Sequence, residues 1–267
     1  MISVITPTYK RPDLLLRCIR SLQAQTYKDY EHIIFSDHCP KAKQVYDLVK
    51  DDKQIKFFEN PNPHIWNAGA VGKDYGIEVA ESNFICYCDD DNMLLSNHLE
   101  VMSKYFNDGY ELVFTKNLIL DFEDYVDVEN NNANGVIEET LKVDLSQLSI
   151  NPRLTYTHFL DYENYKDIPF DAICVGHTKS LYNKTIKWQP ASKIKTNNED
   201  GSFVYSLKEI SNAHNLKVTY NRSFTSLYFS THGSGYGKDL HYINRVDNLS
   251  DDEVFVHSDL LIKNKLL

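Results

Sequence analysis

Four short apolar runs, ISVIT (2–6), YEHIIF (30–35), IKFF (55–58) and FICYC (84–88), alternate with segments whose apolar residues recur at helical spacing. This alternation constrains the fold more than any other feature. Strands that apolar are covered on both faces, and parallel strands need helical crossovers to join them. Pro7 ends the first run, and after Pro12 and Asp13 come Leu14, Leu15, Cys18, Ile19 and Leu22, the buried face of a first helix. Residues 41–50, 68–80 and 97–106 read as further helices, with Gly69, Gly72 and Gly76 interrupting the second of them. Residues 111–120 read as another strand, so the first 120 residues predict an α/β domain with a largely parallel sheet.

The later part is less regular. Residues 121–150 are rich in Asp, Glu and Asn and poor in core residues, which reads as a surface excursion within one domain. Apolar alternation returns near 172–175, a helical pattern covers 202–214, and a strand is expected at 216–220 before the glycine-rich THGSGYGKD. No internal repeat or coiled-coil heptad is present.

Composition narrows the function. With 267 residues and 42% hydrophobic content the chain can bury a sizeable core, and 28 basic against 38 acidic residues give a charge of −10. A field of that sign repels polyanions and argues against general nucleic-acid binding. Cys18, Cys39, Cys86, Cys88 and Cys174 form neither a CxxC pair nor a zinc-ribbon spacing, which fits a reducing compartment. The N-terminal apolar stretch is too short for a signal peptide, and no segment approaches the roughly 20 apolar residues that span a bilayer. A cytoplasmic location is expected, with room for a peripheral position at a membrane face. The N-x-S/T triplets at Asn183, Asn221 and Asn248 are then chance matches.

Three stretches carry chemistry. FICYC runs directly into Asp89, Asp90 and Asp91, and in open α/β sheets ligands bind beyond the carboxyl ends of strands. Carboxylates gathered there repel one another unless a hard cation, Mg²⁺ or Mn²⁺, and ligand phosphates neutralise them; the plain alternative is a solvated acidic turn. Glu199 and Asp200 precede the helix beginning near Ser202, as helix caps or, beside a metal-nucleotide site, as a base for an acceptor hydroxyl. The loop Thr231-His232-Gly233-Ser234-Gly235-Tyr236-Gly237-Lys238 could bring backbone N–H groups, His232 and Lys238 to a diphosphate, or be an ordinary linker.

The segment ISVITPTYKRPDLLLRCIRSLQAQTYKDYEHIIFSD resembles the N-terminal block of glycosyltransferase family 2, in which a strand ending in T-x-Y-N/K-R precedes a helix bearing S-x-x-x-Q-T-Y/F, here Ser21 to Tyr27. NAGAVGKDYGIEVAESNFICYCDDDNMLLSNHLE resembles the next block, with its acidic DxD motif, and NNEDGSFVYSL the later E-D motif. The resemblance implies a GT-A fold, a Rossmann-like, mostly parallel sheet flanked by helices, in a single domain over 1–267. About 1–120 would be the nucleotide-sugar half and about 151–267 the acceptor half with its C-terminal loop. It further implies an inverting transferase, a nucleoside-diphosphate sugar donor with a UDP-sugar as first candidate, Mn²⁺ or Mg²⁺, and a glycan or lipid-linked hydroxyl acceptor.

By the same resemblance Tyr9 stacks on the base, Asp37 hydrogen-bonds it, and Thr6 and Pro7 shape the pocket floor. Lys73 stands where the family often has Arg and meets the base or the phosphates. Asp89 contacts the ribose side within a cluster that includes Asp90, Asp91 takes the metal with His232 as a further ligand, and Lys238 meets the diphosphate. Asp200 is the general base and Glu199 supports the acceptor pocket. Two features depart from the family pattern: Ser36-Asp37-His38 has one carboxylate where the family usually has two, and the residue after the E-D motif is small rather than aromatic. A nucleotidylyltransferase would also use acidic residues and a metal, but TPTYKRPD lacks that class's glycine-rich phosphate loop. A silent sugar-nucleotide-binding module would need no base, and only the acidic excursion suggests a scaffold role.

Overall fold

A computed structural model describes residues 1–9, 11–61, 69–121, 153–155, 172–185, 187–188 and 199–230. Its first half alternates as the apolar runs predict: β1 (Ile2–Thr8), α1 (Pro12–Gln23), β2 (Tyr30–Ser36), α2 (Pro40–Asp47), β3 (Ile55–Glu59), α3 (Ala70–Val79) and β4 (Phe84–Tyr87). There follow β5 (Met93–Leu94), α4 (His98–Asn107), β6 (Leu112–Asp121) and β7 (Arg153–Thr155). A 3₁₀ turn (Ala172–Cys174) then leads into β8 (Val175–Thr178), a one-turn α5 (Lys179–Tyr182), α6 (Glu199–Ala213) and β9 (Val218–Ser230).

The described strands form one nine-stranded sheet, ordered β3-β2-β1-β4-β8-β6-β9-β5 with β7 beside β6. β3, β2, β1 and β4 are parallel, as are β6 and β9, whereas β8, β5 and β7 run the other way, so six of the nine point in one direction. The chain winds from β1 outward to β3 and returns to the other side of β1 as β4. That reversal makes a crevice at the carboxyl ends of β1 and β4, the place where open α/β sheets bind ligands.

Residues of β1 alternate between the two faces. Ile2 and Val4 pack with Cys18 and Leu22 of α1 and with Leu99, Met102 and Phe106 of α4. Ile5 faces a second core that contains Ile77 of α3 and Phe203, Val204 and Leu207 of α6. Pro12 at the start of α1 is suited there, its missing N–H being one that a helix start leaves unbonded. The glycines of the third helix do not break it: α3 is continuous, and they form the face that meets β1. A Cβ on Gly76 would lie 2.4 Å from Cγ2 of Ile5, and one on Gly72 2.9 Å from both Phe35 Cδ1 and Pro7 Cβ. Gly69 precedes α3 in the left-handed region, at φ +84°, with its own close approach to Pro7.

Candidate active site

At the carboxyl end of β4 the chain presents Asp89, Asp90 and Asp91, and the neighbouring strand and helix ends supply cations and donors. Asp90 is fully buried between β1 and α1, with Oδ2 accepting from the Thr8 hydroxyl at 2.6 Å and Oδ1 2.7 Å from Nη2 of Arg11. The other arm of Arg11 pairs with the Asp91 carboxylate, and Arg17 of α1 donates to the Asp91 carbonyl. Asp89 faces α3, where the buried Lys73 ammonium lies 3.4 Å from its Oδ1.

Lys73 is 1% exposed and reaches a second carboxylate, Oδ1 of Asp200, at 3.0 Å. Asp200 is the second residue of α6, so the E-D pair lies inside the first helical turn and not ahead of it. Its Oδ2 accepts from the Ala172 N–H at 3.4 Å. The two acidic clusters that stand more than a hundred residues apart in sequence therefore share one buried cation.

Beside this cluster the strand ends build a polar rim. Asp37, just past β2, accepts from Asn60 Nδ2 at 2.7 Å, and its N–H donates to the Thr8 carbonyl. Tyr9 follows β1 at the same edge, half-buried. Pro7 lies beneath the start of α3, while Thr6 points to the opposite face, where its hydroxyl donates to the Cys88 carbonyl at 2.6 Å and lies 2.8 Å from His32 Nε2. Thr6 thus braces the strand end that carries the aspartates. Glu199 opens α6 beside Asp200. His232 and Lys238 lie outside the described residues.

Burial dominates the electrostatics. It pushes the Asp90 carboxyl up to about 7, reinforced by Asp91 and Asp89 and opposed by Arg11 and the Thr8 bond. Burial likewise pushes Asp89 up to about 6, with Asp200 and Asp91 adding to the shift and Lys73 and Arg11 opposing it. Oδ1 of Asp90 is held in the ion pair with Arg11 and Oδ1 of Asp89 in that with Lys73. Among the described residues four carboxylates, Asp89, Asp90, Asp91 and Asp200, stand beside three cations, Arg11, Arg17 and Lys73. An oxygen donor set with that deficit fits a hard divalent cation. Among the described residues no three His, Cys, Asp or Glu side chains are gathered to hold an ion by themselves. A cation of the Mg²⁺ kind takes one or two carboxylates and completes its shell with substrate phosphates and water.

Arg11, Arg17, Thr8, Asn60 and Trp188 join the site or its surroundings without a motif of their own in the sequence. Arg11 closes the run Thr6-Pro7-Thr8-Tyr9-Lys10-Arg11, so its position carried a signal; Trp188 carried none.

The strand order, the flanking helices and the crevice at β1 and β4 define a GT-A fold. A crystal structure of S. aureus TarS in complex with UDP matches 97% of the chain and 70% of that structure's chain at 14% identity, with a TM-score of 0.60. A mannosyltransferase, PcManGT from Pyrobaculum calidifontis in complex with GDP-Man and Mn²⁺, matches 98% of the chain and 69% of its own at 10% identity and TM-score 0.55. The family model for glycosyl transferase family 2 matches residues 3–171, and the chain belongs to that family. A curated relative, GalNAc(5)-diNAcBac-PP-undecaprenol beta-1,3-glucosyltransferase of Campylobacter jejuni, is 39% identical over 121 residues, which are 44% of this chain and 38% of the relative. Among the described residues no helix is long and apolar enough to cross a membrane.

Proposed function

We propose that the protein is an inverting glycosyltransferase that moves a sugar from a nucleoside-diphosphate donor, a UDP-sugar first among them, to a hydroxyl of a glycan or lipid-linked acceptor. The observation that carries this reading is the bridge from Asp89 through Lys73 to Asp200, which sets a donor-side acidic cluster and a separate carboxylate beside one crevice. A nucleotide-binding module would need only the first.

In this reading the rim of Tyr9, Asp37 and Asn60 receives the nucleoside, Tyr9 by stacking and Asp37 by hydrogen bonding. Asp91 and Asp89 would hold a divalent cation, which supplies positive charge to the leaving diphosphate. Arg11 and Arg17 keep Asp91 in place at the mouth of the crevice. Asp200, part-exposed on α6, accepts the proton of the acceptor hydroxyl as its oxygen attacks the anomeric carbon, and single displacement inverts that centre. Glu199 stands beside the acceptor. The UDP bound to TarS, the Mn²⁺ bound to the Pyrobaculum enzyme and the undecaprenol-linked substrate in the Campylobacter relative's name support the donor, the cation and the acceptor class in turn. The acceptor class is compatible with work at a membrane face.

Titration calorimetry of UDP with Mn²⁺ and with chelator tests the donor side. Affinity should fall about tenfold or more in chelator, and Asp91→Asn should lose a similar factor in the presence of Mn²⁺. Equal affinity in both conditions would remove the cation from the reading.

A further inference from the structure

Trp188 occupies a place that the donor and base assignments leave unexplained. Its indole ring stacks on Phe203 of α6, with centroids 4.0 Å apart and planes at 23°. The same ring lies 4.4 Å from the Lys73 ammonium of α3. It therefore stands between the helix that carries the bridging cation and the helix that carries Asp200. The ring is buried, at 2% exposure, so the cation it faces is largely withdrawn from water, where such a contact is strongest.

The orientation of the indole is fixed by a one-way chain of hydrogen bonds. His177 Nδ1 lies 3.0 Å from the Thr178 carbonyl, which can only accept, so the proton sits on Nδ1. Burial lowers His177 to about 4, which keeps the ring neutral and leaves Nε2 to accept from the Tyr87 hydroxyl at 2.7 Å. That hydroxyl has its oxygen free to accept from Trp188 Nε1, at 3.3 Å. The main chain is pinned as well, Trp188 N–H donating to Oδ1 of Asp74, the residue after Lys73, at 3.2 Å. Tyr182 donates to the same Asp74 oxygen.

We propose that Trp188 is a positioning residue for the transfer reaction: its indole seats the Lys73 ammonium against Asp89 and Asp200, and thereby fixes the base relative to the donor-side cluster. The proposal rests on the transferase reading. Without the ring, Lys73 can follow solvent or either carboxylate, and Asp200 loses its set distance from the reacting carbon. A displacement of that kind costs turnover more than donor affinity, because the buried ring acts through Lys73 and not at the surface that a donor would meet.

Two measurements test it. In a Trp66→Phe background Trp188 is the sole tryptophan, and an ammonium over the indole face shifts its emission. Lys73→Met should move that emission band, whereas Lys73→Arg, which keeps a cation, should move it less. In the otherwise unmodified protein Trp188→Leu should lower kcat about tenfold, with KM for the nucleotide sugar within about threefold of native, and Trp188→Phe, which keeps an aromatic face, should restore most of kcat. Native kcat in Trp188→Leu, or a loss confined to KM, overturns the positioning role. If Trp188→Leu does not fold, the comparison of Trp188→Phe with native and the emission of Lys73→Met decide: an unmoved band overturns the proposal. Absence of both transfer and donor hydrolysis in the native protein would sink the transferase reading itself, whereas an unmoved band with turnover intact sinks the positioning role alone.

Discussion

Asp90 has no exposed surface, one hydroxyl donor and one arginine, and burial still outweighs both. Its carboxyl is raised to about 7 from an ordinary value of 3.8, so the ionised form is disfavoured in the folded protein. The sign of the linkage follows. Relative to an uncharged residue, Asp90 costs nothing below about pH 3.8, and stability is lost as pH rises through about 7, by an amount on the order of a few kcal/mol. Asp90→Asn should therefore melt higher than native in chelator, with a difference near zero around pH 4 that grows until about pH 7. Adding Mn²⁺ and UDP should shrink or reverse the difference, since ligand stabilises the protein that binds it more tightly. Thermal melts across pH check this, and a difference that does not change with pH would show that burial is not the cause. Burial of this carboxylate is thus a cost that the fold carries at neutral pH.

At the scale of the elements, α3 is held to β1 by what it lacks. Gly76→Ala would add roughly 1 kcal/mol of helix propensity, yet the new methyl would meet the branched, fully buried Ile5 at 2.4 Å. Overpacking should win, with a net loss of about 1–3 kcal/mol read as a lower urea midpoint. A raised midpoint would mean that the helix is free to move off the strand. In the sequence these glycines look like interruptions because composition records conformational freedom and not close approach. Elsewhere the periodic segments were legible: β1 to β4 and α1 to α4 lie within a few residues of their expected places. β5 is two residues long, too short to show a period. β9 crosses the polar Asn221, Arg222 and Ser223 with a register shift against β6 and runs on to Ser230.

For the whole molecule, what the sequence could not supply was adjacency. β8 enters antiparallel between β4 and β6, and no local pattern distinguishes that neighbour from another. The same insertion brings His177 beneath Tyr87 and so fixes Trp188, a lone aromatic without periodic context. Asp89 and Asp200 were legible as candidates because three adjacent carboxylates and an E-D pair are unusual, and because both fell within blocks that resemble a known family. Lys73 was legible as a site residue by the same resemblance, but a lysine on a helix gives no sign of being 1% exposed or of pairing with both carboxylates. The proposed reaction depends on Asp200 as the base of a site assembled from both halves of the chain. The measurement is the rate of sugar transfer to a hydroxyl acceptor by Asp200→Asn, taken with its affinity for UDP and Mn²⁺. With Asp200 as the base, kcat falls roughly 10²-fold or more with donor affinity retained. Transfer at the native rate would contradict it.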